Sequence, residues 1–484
     1  MKFKYILFVT VFVFSIFQTA FSQKKDSISL VVKTFRGNEK RNYYGDNAPN
    51  KLRPIWKFNL GSGRSIVKEM PKVWAGAGWT GQPLLVVENN KPYIIQGAYD
   101  YSLRKFNAET GKVIWNYKFD DIVKGTGTIW ENPNPDLAEN RFVIMQGSRY
   151  GSRNDWERKV IPSYRGISLI TGKELWRLNV RQTYSYSRDV DGSSLVLNDT
   201  AYIGLENGIF TVFNPDNKFA KNKDSILQPF IYRELKLFND SDILLHGMNF
   251  VTESSPALVD HKIIIAACSR IYAYNVNTKK LDWNFYIGTD IDGTPVITKE
   301  KKILVTLERQ YIEGKGGVMR LDPSKPEKEA VDWFFPTQNR IFGEWEGGII
   351  GTLAVNDYYN LNDSMPTIAA FCAIDGNLYV INCDSIDITK KVLSPDEKME
   401  YPTPLLLYKY NIGPGISSPI IVDDKIIACS SSGIFLFQFQ WKNSKITVKL
   451  LDKILGIPIE ASPIVWNKKV YIASRNGFLY CFGE

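Results

Sequence analysis

The chain has 484 residues and a formal net charge of +9, from 60 Lys and Arg against 51 Asp and Glu. Its basic excess is scattered: the densest patch, Lys218, Lys221 and Lys223, lies beside Asp216 and Asp224, which argues against the one-sided basic stripe of a nucleic-acid binder. With 5 cysteines in no Cys-x-x-Cys spacing and only 2 histidines, the sequence carries neither a zinc cluster nor a c-type haem site.

Lys2 and Lys4 precede an apolar run from Tyr5 to Phe17, and Ala20-Phe21-Ser22 offers small residues where a signal peptidase reads. Residues 1–22 therefore read as a secretory signal peptide. The run falls short of the roughly 20 residues that span a bilayer, so no transmembrane segment is expected in the mature chain. The first cysteine is Cys268, so the usual lipid anchor is not expected either. The chain reads as exported, periplasmic or outer-membrane-associated, with residues 23–53 as a lead-in and 54–484 as one repeat domain.

A short phrase then recurs, an acidic or small residue and two small residues before an apolar run. It stands at Thr80-Gly-Gln-Pro83, Lys124-Gly-Thr-Gly127, Asp191-Gly-Ser-Ser194, Glu253-Ser-Ser-Pro256, Asp292-Gly-Thr-Pro295, Glu346-Gly-Gly-Ile349, Ile416-Ser-Ser-Pro419 and Glu460-Ala-Ser-Pro463. A spacing of about 54 residues is too long for one strand or helix and marks a repeated supersecondary unit. Within the last unit, Pro463–Trp466, Val470–Ser474 and Phe478–Phe482 read as three strands, with the tight Asn476-Gly477 turn between the second and third. No stretch has helical periodicity of helical length.

The third strand often runs into Thr-Gly-Lys-x-x-Trp, as at Thr110–Trp115 and Thr171–Trp176, with a variant at Thr278–Trp283. The Gly permits a left-handed turn. Trp115, Trp176, Trp283 and Trp333 are expected to fill the gaps between neighbouring sheets. Pro54–Leu60, with Trp56, reads as a fourth strand with no three before it, and the unit ending at Glu484 has only three. Pairing the two closes a ring and removes exposed sheet edges. The expectation is an all-β, eight-bladed β-propeller of four-stranded antiparallel blades, its last blade closed by an N-terminal strand. Cys372 and Cys429 fall in small buried slots of the repeat, and no disulfide framework is expected.

The Thr-Gly-Lys-x-x-Trp segments, the Ser-Ser-Pro and Gly-Thr-Pro strand starts, and the lead-in Phe35–Gly45 resemble the pyrroloquinoline-quinone-like repeat family of eight-bladed propellers. That resemblance implies one of two branches. Quinoprotein dehydrogenases bind the quinone and calcium, and many carry a disulfide between adjacent cysteines, which this chain lacks. The non-enzymatic branch includes a periplasmic assembly factor for outer-membrane β-barrels. The chain is read as the second kind, a monomeric, non-catalytic, protein-binding module with envelope proteins as partners and no nucleic acid. The alternatives are a quinone- or metal-dependent oxidoreductase, or a carbohydrate or envelope-ligand binder. No cofactor is expected under the leading reading, and pyrroloquinoline quinone or calcium under the alternative.

No catalytic constellation stands out, and His261 falls in a hairpin turn. The candidate binding residues are of two kinds. Asp191, Glu253, Asp292, Glu346 and Glu460 precede innermost strands and are expected to form an acidic ring at one mouth of the channel. Trp156, Arg158 and Trp345 sit on long loops, where aromatic and basic side chains anchor partners.

Overall fold

The computed structural model describes residues 27–67, 70–79, 81–149, 158–360 and 364–484. The signal-peptide reading of residues 1–22 and the candidate Trp156 lie outside the described residues. Eight meandering antiparallel sheets follow one another around a channel, which makes the fold an eight-bladed β-propeller. Their innermost strands are Leu84–Glu88, Thr128–Glu131, Leu195–Leu197, Ala257–Val259, Val296–Ile297, Ala354–Val355, Ile420–Val422 and Ile464–Trp466, in blades one to eight. The ring closes as the sequence implies: Arg53–Asn59 pairs antiparallel with Phe478–Gly483, setting Trp56 opposite Cys481 and Phe58 opposite Leu479.

The repeated phrase has a structural cause. In blades two, four, five, six and seven its third residue carries a hydroxyl that accepts from the backbone of the preceding blade. Gln82 N donates to Thr126 Oγ1 at 2.7 Å, Ser193 N to Ser255 Oγ at 2.9 Å, Ser255 N to Thr294 Oγ1 at 3.0 Å, Thr294 N to Thr352 Oγ1 at 2.9 Å, and Thr352 N to Ser418 Oγ at 2.8 Å. Side chain to carbonyl bonds complete the circle, from Ser193 to Thr126, Ser417 to Ala461 and Gln82 to Pro463. These bonds satisfy backbone groups at the inner strand ends, which water does not reach.

That circle corrects one register. In blade six the phrase is Ile350-Gly351-Thr352-Leu353, not Glu346–Ile349, because Thr352 occupies the hydroxyl position. Glu346 lies four residues earlier, on a small hairpin formed by Asn339–Phe342 and Trp345–Gly347.

The tryptophans lie between blades. The indole Nε1 of Trp56 donates to Ala108 O, Trp115 to Leu169 O, Trp176 to Pro215 O, Trp283 to Lys325 O and Trp333 to Cys383 O, at 2.8–3.0 Å. Each acceptor belongs to the next blade. Gly111, at φ +70°, lies under Trp56 so closely that a Cβ there would sit 2.8 Å from the indole. The motif thus joins a turn that needs positive φ to a face that a neighbouring ring must touch. The five cysteines are buried and unpaired.

The lead-in adds what the repeat does not contain. Ile28–Val32 pairs with the innermost strand of blade one, and Gly45–Asp46 pairs parallel to that of blade eight, so these two sheets have five strands. Between them the chain crosses the channel. Lys33 O accepts from Ile129 N, Glu39 O from Leu258 N and Lys40 O from Ile297 N. Arg36 and Arg41 are fully buried in it. Arg36 donates to Leu353 O and Pro419 O, and stacks 4.4 Å from the Tyr44 ring. The single α-helix among the described residues, Asp240–His246, connects blades three and four under an Asn239 capping box.

Candidate functional site

Above the lead-in the channel widens into a funnel of about 1210 Å³. Its walls come from segments preceding innermost strands and from turns after second strands, which meet at the same end of every blade. The two sides differ in chemistry.

On blades two to five the wall is ionic. Asp191, Glu253 and Asp292 of the repeated phrase are joined there by Asp189, Glu206, Asp290 and Glu308. Asp191, Glu206 and Glu253 place carboxylate oxygens within 4.8 Å of one another, as do Asp290, Asp292 and Glu308. Blade two supplies the counter-charge. Lys124, in the phrase position that carries an acid elsewhere, brings Nζ to 2.6 Å from Asp191 Oδ2, and Arg149 lies 3.4 Å from Asp189 Oδ2.

Burial dominates the electrostatics. It pushes the Glu206, Glu253 and Asp292 carboxyls well above the ordinary range, reinforced by Asp191 for Glu206, by Asp292 for Glu253 and by Asp290 for Asp292. Burial likewise raises Asp290 to about 6, and burial with the Asp290 charge raises Glu308 to about 8. The Asp290, Asp292 and Glu308 carboxyls lie close enough that the titration of each affects the others. Burial works against the Lys124 charge, but the Asp191, Glu206, Glu253 and Asp189 carboxylates outweigh it and hold the ammonium protonated.

On the side of blades six and seven the lining is aromatic, from Trp79 and Trp345. The phrase positions there are Ile350 and Ile416, which with Ile374 form a buried cluster packed against Trp79, Phe342 and Trp345. Trp79 and Trp345 lie 6.0 Å apart, and Lys124 sits 5.4 Å over the Trp79 ring, joining the two sides.

Of the sequence candidates, Glu253, Asp292 and Trp345 line this funnel, and Asp191 lies buried behind its wall, paired with Lys124. Glu460 also lines it but is paired with Arg475 at 2.7 Å. Glu346 stands outside it, exposed and paired with Arg309. Arg158 is exposed away from the funnel, its carbonyl accepting from Arg188. His261 sits in the turn between Ala257–Val259 and Lys262–Ala267, whereas His246 lies at the funnel wall with Nε2 3.0 Å from Ser269 Oγ. The expected five-acid ring is therefore a one-sided cluster, because only blades three, four, five and eight carry an acid in the corrected register.

The sequence reasoning missed Asp189, Glu206, Asp290, Glu308 and Lys124. Two signals mark the acids: Asp189-Val-Asp191 and Asp290-Ile-Asp292 share an Asp-x-Asp pattern, and Glu206 and Glu308 each follow the last residue of a second strand.

A family model described as outer membrane protein assembly factor BamB matches residues 52–245. That match spans less than half of the 484 residues. No curated protein matches the chain in sequence. Among solved structures, it is similar to BamB from Moraxella catarrhalis, with a TM-score of 0.52 and 11% identity over 90% of this chain and 100% of that one. It is equally similar to two quinohemoprotein alcohol dehydrogenases. That from Pseudomonas putida HK5 has a TM-score of 0.54 at 11% identity, and that from Comamonas testosteroni 0.52 at 13%; each match covers 93% of this chain and 80% of the other. At these identities the likeness concerns the fold.

The likeness to quinohemoprotein dehydrogenases raises the question of quinone and calcium. Pyrroloquinoline quinone is itself a polycarboxylate, and in this funnel it would face a wall of carboxyls whose lining cations, Lys72, Lys124, Arg149 and Arg475, are each already paired with an acid. The residues do not fit it. A divalent ion would have to displace the Lys124 ammonium at the first triad and to ionise carboxyls that burial holds toward the protonated form at the second.

Proposed function

We propose that this protein is a non-catalytic binding module of the cell envelope that holds a protein partner on its funnel face. The observation that carries the reading is the company the funnel keeps. Its rim is built from three insertions that the repeat does not require. They are the hairpin Ser62–Val67 with Met70–Ala75, the helix Asp240–His246, and the hairpin bearing Trp345. All three hold apolar side chains in solvent: Met70 at 65%, Leu244 at 88% and Ile341 at 78% exposure. Exposed apolar groups gathered around a polar cavity mark an interaction surface.

The leader at residues 1–22 supports export, and the match to a family described as an outer membrane protein assembly factor supports an envelope location. No helix among the described residues is long and apolar enough to cross a membrane.

Affinity capture from an envelope extract of the native organism, with wild type beside a Leu244→Asp, Ile341→Asp variant, tests the reading. A partner held by the wild type and lost by the variant supports it; equal retention places the contact elsewhere. In a dye-linked alcohol oxidation assay with added quinone and calcium, no turnover is expected. Stoichiometric quinone binding with dye reduction would replace this reading with an oxidoreductase.

A further inference from the structure

The funnel is amphipathic in a way that specifies an occupant. We infer that it receives a basic side chain, an arginine guanidinium or lysine ammonium, carried on an apolar-flanked peptide segment of the partner. The inference rests on the reading of the funnel face as the partner face, and it names the chemistry that face recognises.

Three independent observations support it. The first is a group of buried acids with no counter-cation. Lys124 and Arg149 engage Asp191 and Asp189, whereas Glu206, Glu253, Asp290, Asp292 and Glu308 have no ion-pair partner within 4.0 Å among the described residues. A buried carboxyl without a cation is costly, and an incoming cation would relieve that cost.

The second is hydrogen bonding. Glu206 Oε1 and Asp189 Oδ1 are buried at the wall with no hydrogen-bond partner among the described residues, on side chains only 2% exposed. Asn249 spends its amide nitrogen on Asp290 and Tyr311, leaving Oδ1 unpartnered, and Gln310 Oε1 is unpartnered as well. These vacancies on the acidic side are acceptors, whereas the unpartnered N–H groups of Trp74, Trp79 and Arg475 lie elsewhere on the lining. A guanidinium has five N–H donors and no acceptor, and an ammonium three donors and none, so either matches a wall made of acceptors.

The third is size and the facing wall. About 1210 Å³ exceeds the roughly 300–1,000 Å³ of small-molecule sites and is far larger than an ion needs. Opposite the acids, Trp74, Trp79 and Trp345 line the funnel and offer an apolar surface to residues flanking the basic one, Trp79 and Trp345 backed by the buried Ile350, Ile374 and Ile416. Trp79 already carries one cation over its ring, Lys124, so a second can be accommodated on the Trp345 side.

The test uses three synthetic peptides, Leu-Phe-Arg-Phe-Leu and its counterparts with citrulline or Glu at the centre, titrated calorimetrically into the full mature protein at low salt. Citrulline keeps the shape and most donors of arginine but not its charge. The arginine peptide is expected to bind at least about tenfold more tightly than the citrulline peptide, and the Glu peptide not to bind. A Glu206→Gln, Glu253→Gln variant that melts cooperatively is expected to lose that tenfold preference. Equal affinity for the arginine and citrulline peptides overturns the inference on wild-type protein alone, whether or not the variant folds. Calcium that binds stoichiometrically and abolishes arginine-peptide binding also overturns it, because the wall is then a metal site. If rim variants still abolish partner capture while the peptides show no charge preference, the inference fails and the partner-face reading stands.

Discussion

Arg41 chelates one carbonyl oxygen, that of Pro256, through Nε at 2.8 Å and Nη2 at 2.6 Å. The two residues lie 215 positions apart, one in the lead-in and one at the start of the innermost strand of blade four. Together with Arg36, which reaches Leu353 O and Pro419 O, this contact makes the lead-in an axle bonded to strands on opposite sides of the ring. It also floors the funnel, since these carbonyls begin the strands whose preceding residues form its walls.

Replacing Arg41 by Met is expected to destabilise the protein by at least about 3 kcal/mol, because it deletes four charge-assisted bonds, two to Pro256 O and one each to Thr34 Oγ1 and Phe35 O, and leaves the Pro256 carbonyl buried without that partner. Chemical denaturation checks this. A midpoint within error of wild type would show that the lead-in merely occupies the channel.

Gly111 sits at φ +70° with its Cα against the Trp56 indole. Gly111→Ala combines an unfavourable backbone conformation with a steric clash, so a loss of at least about 1 kcal/mol is expected. Trp56 belongs to the strand that closes blade eight onto the chain's last strand. The loss should therefore appear as faster unfolding or aggregation of the closing blade, visible in hydrogen exchange at Phe478–Gly483. Unchanged exchange there would separate Gly111 from ring closure.

How far the sequence disclosed this follows from what repeats. Blade number, closure by Arg53–Asn59 and the tryptophan positions recur at a fixed spacing, so they could be read directly. Blade six misled because Glu346-Gly347-Gly348 imitates the phrase four residues ahead of Gly351-Thr352, and only the hydroxyl ring distinguishes them. The axle was illegible because its partners are backbone carbonyls, which every sequence has. The site was half legible: the acids of the phrase stand out, whereas Glu206 and Glu308 come from turns that the phrase does not reach.

The acidic wall predicts a pH dependence of definite sign. Burial raises Asp290 to about 6 and, with the Asp290 charge, Glu308 to about 8, so the folded state holds protons that the unfolded chain releases. The stability this contributes is fully present below the ordinary carboxylate range and is lost as pH rises through those values. The melting temperature is therefore expected to fall between about pH 5 and about pH 8, and Glu308→Gln to flatten that slope. A melting temperature that rises over this interval would contradict the charge assignment.

The central claim, that the funnel face is the partner face, is tested most directly by site-specific photocrosslinking in intact cells. A photoreactive residue is placed at Leu244 or Ile341 on the funnel rim. For comparison it is placed at Leu137 or Phe219, exposed on connections at the opposite end of the blades. The account predicts a discrete adduct from the rim positions and none from the others. Adducts from Leu137 or Phe219 with none from Leu244 or Ile341 would contradict it.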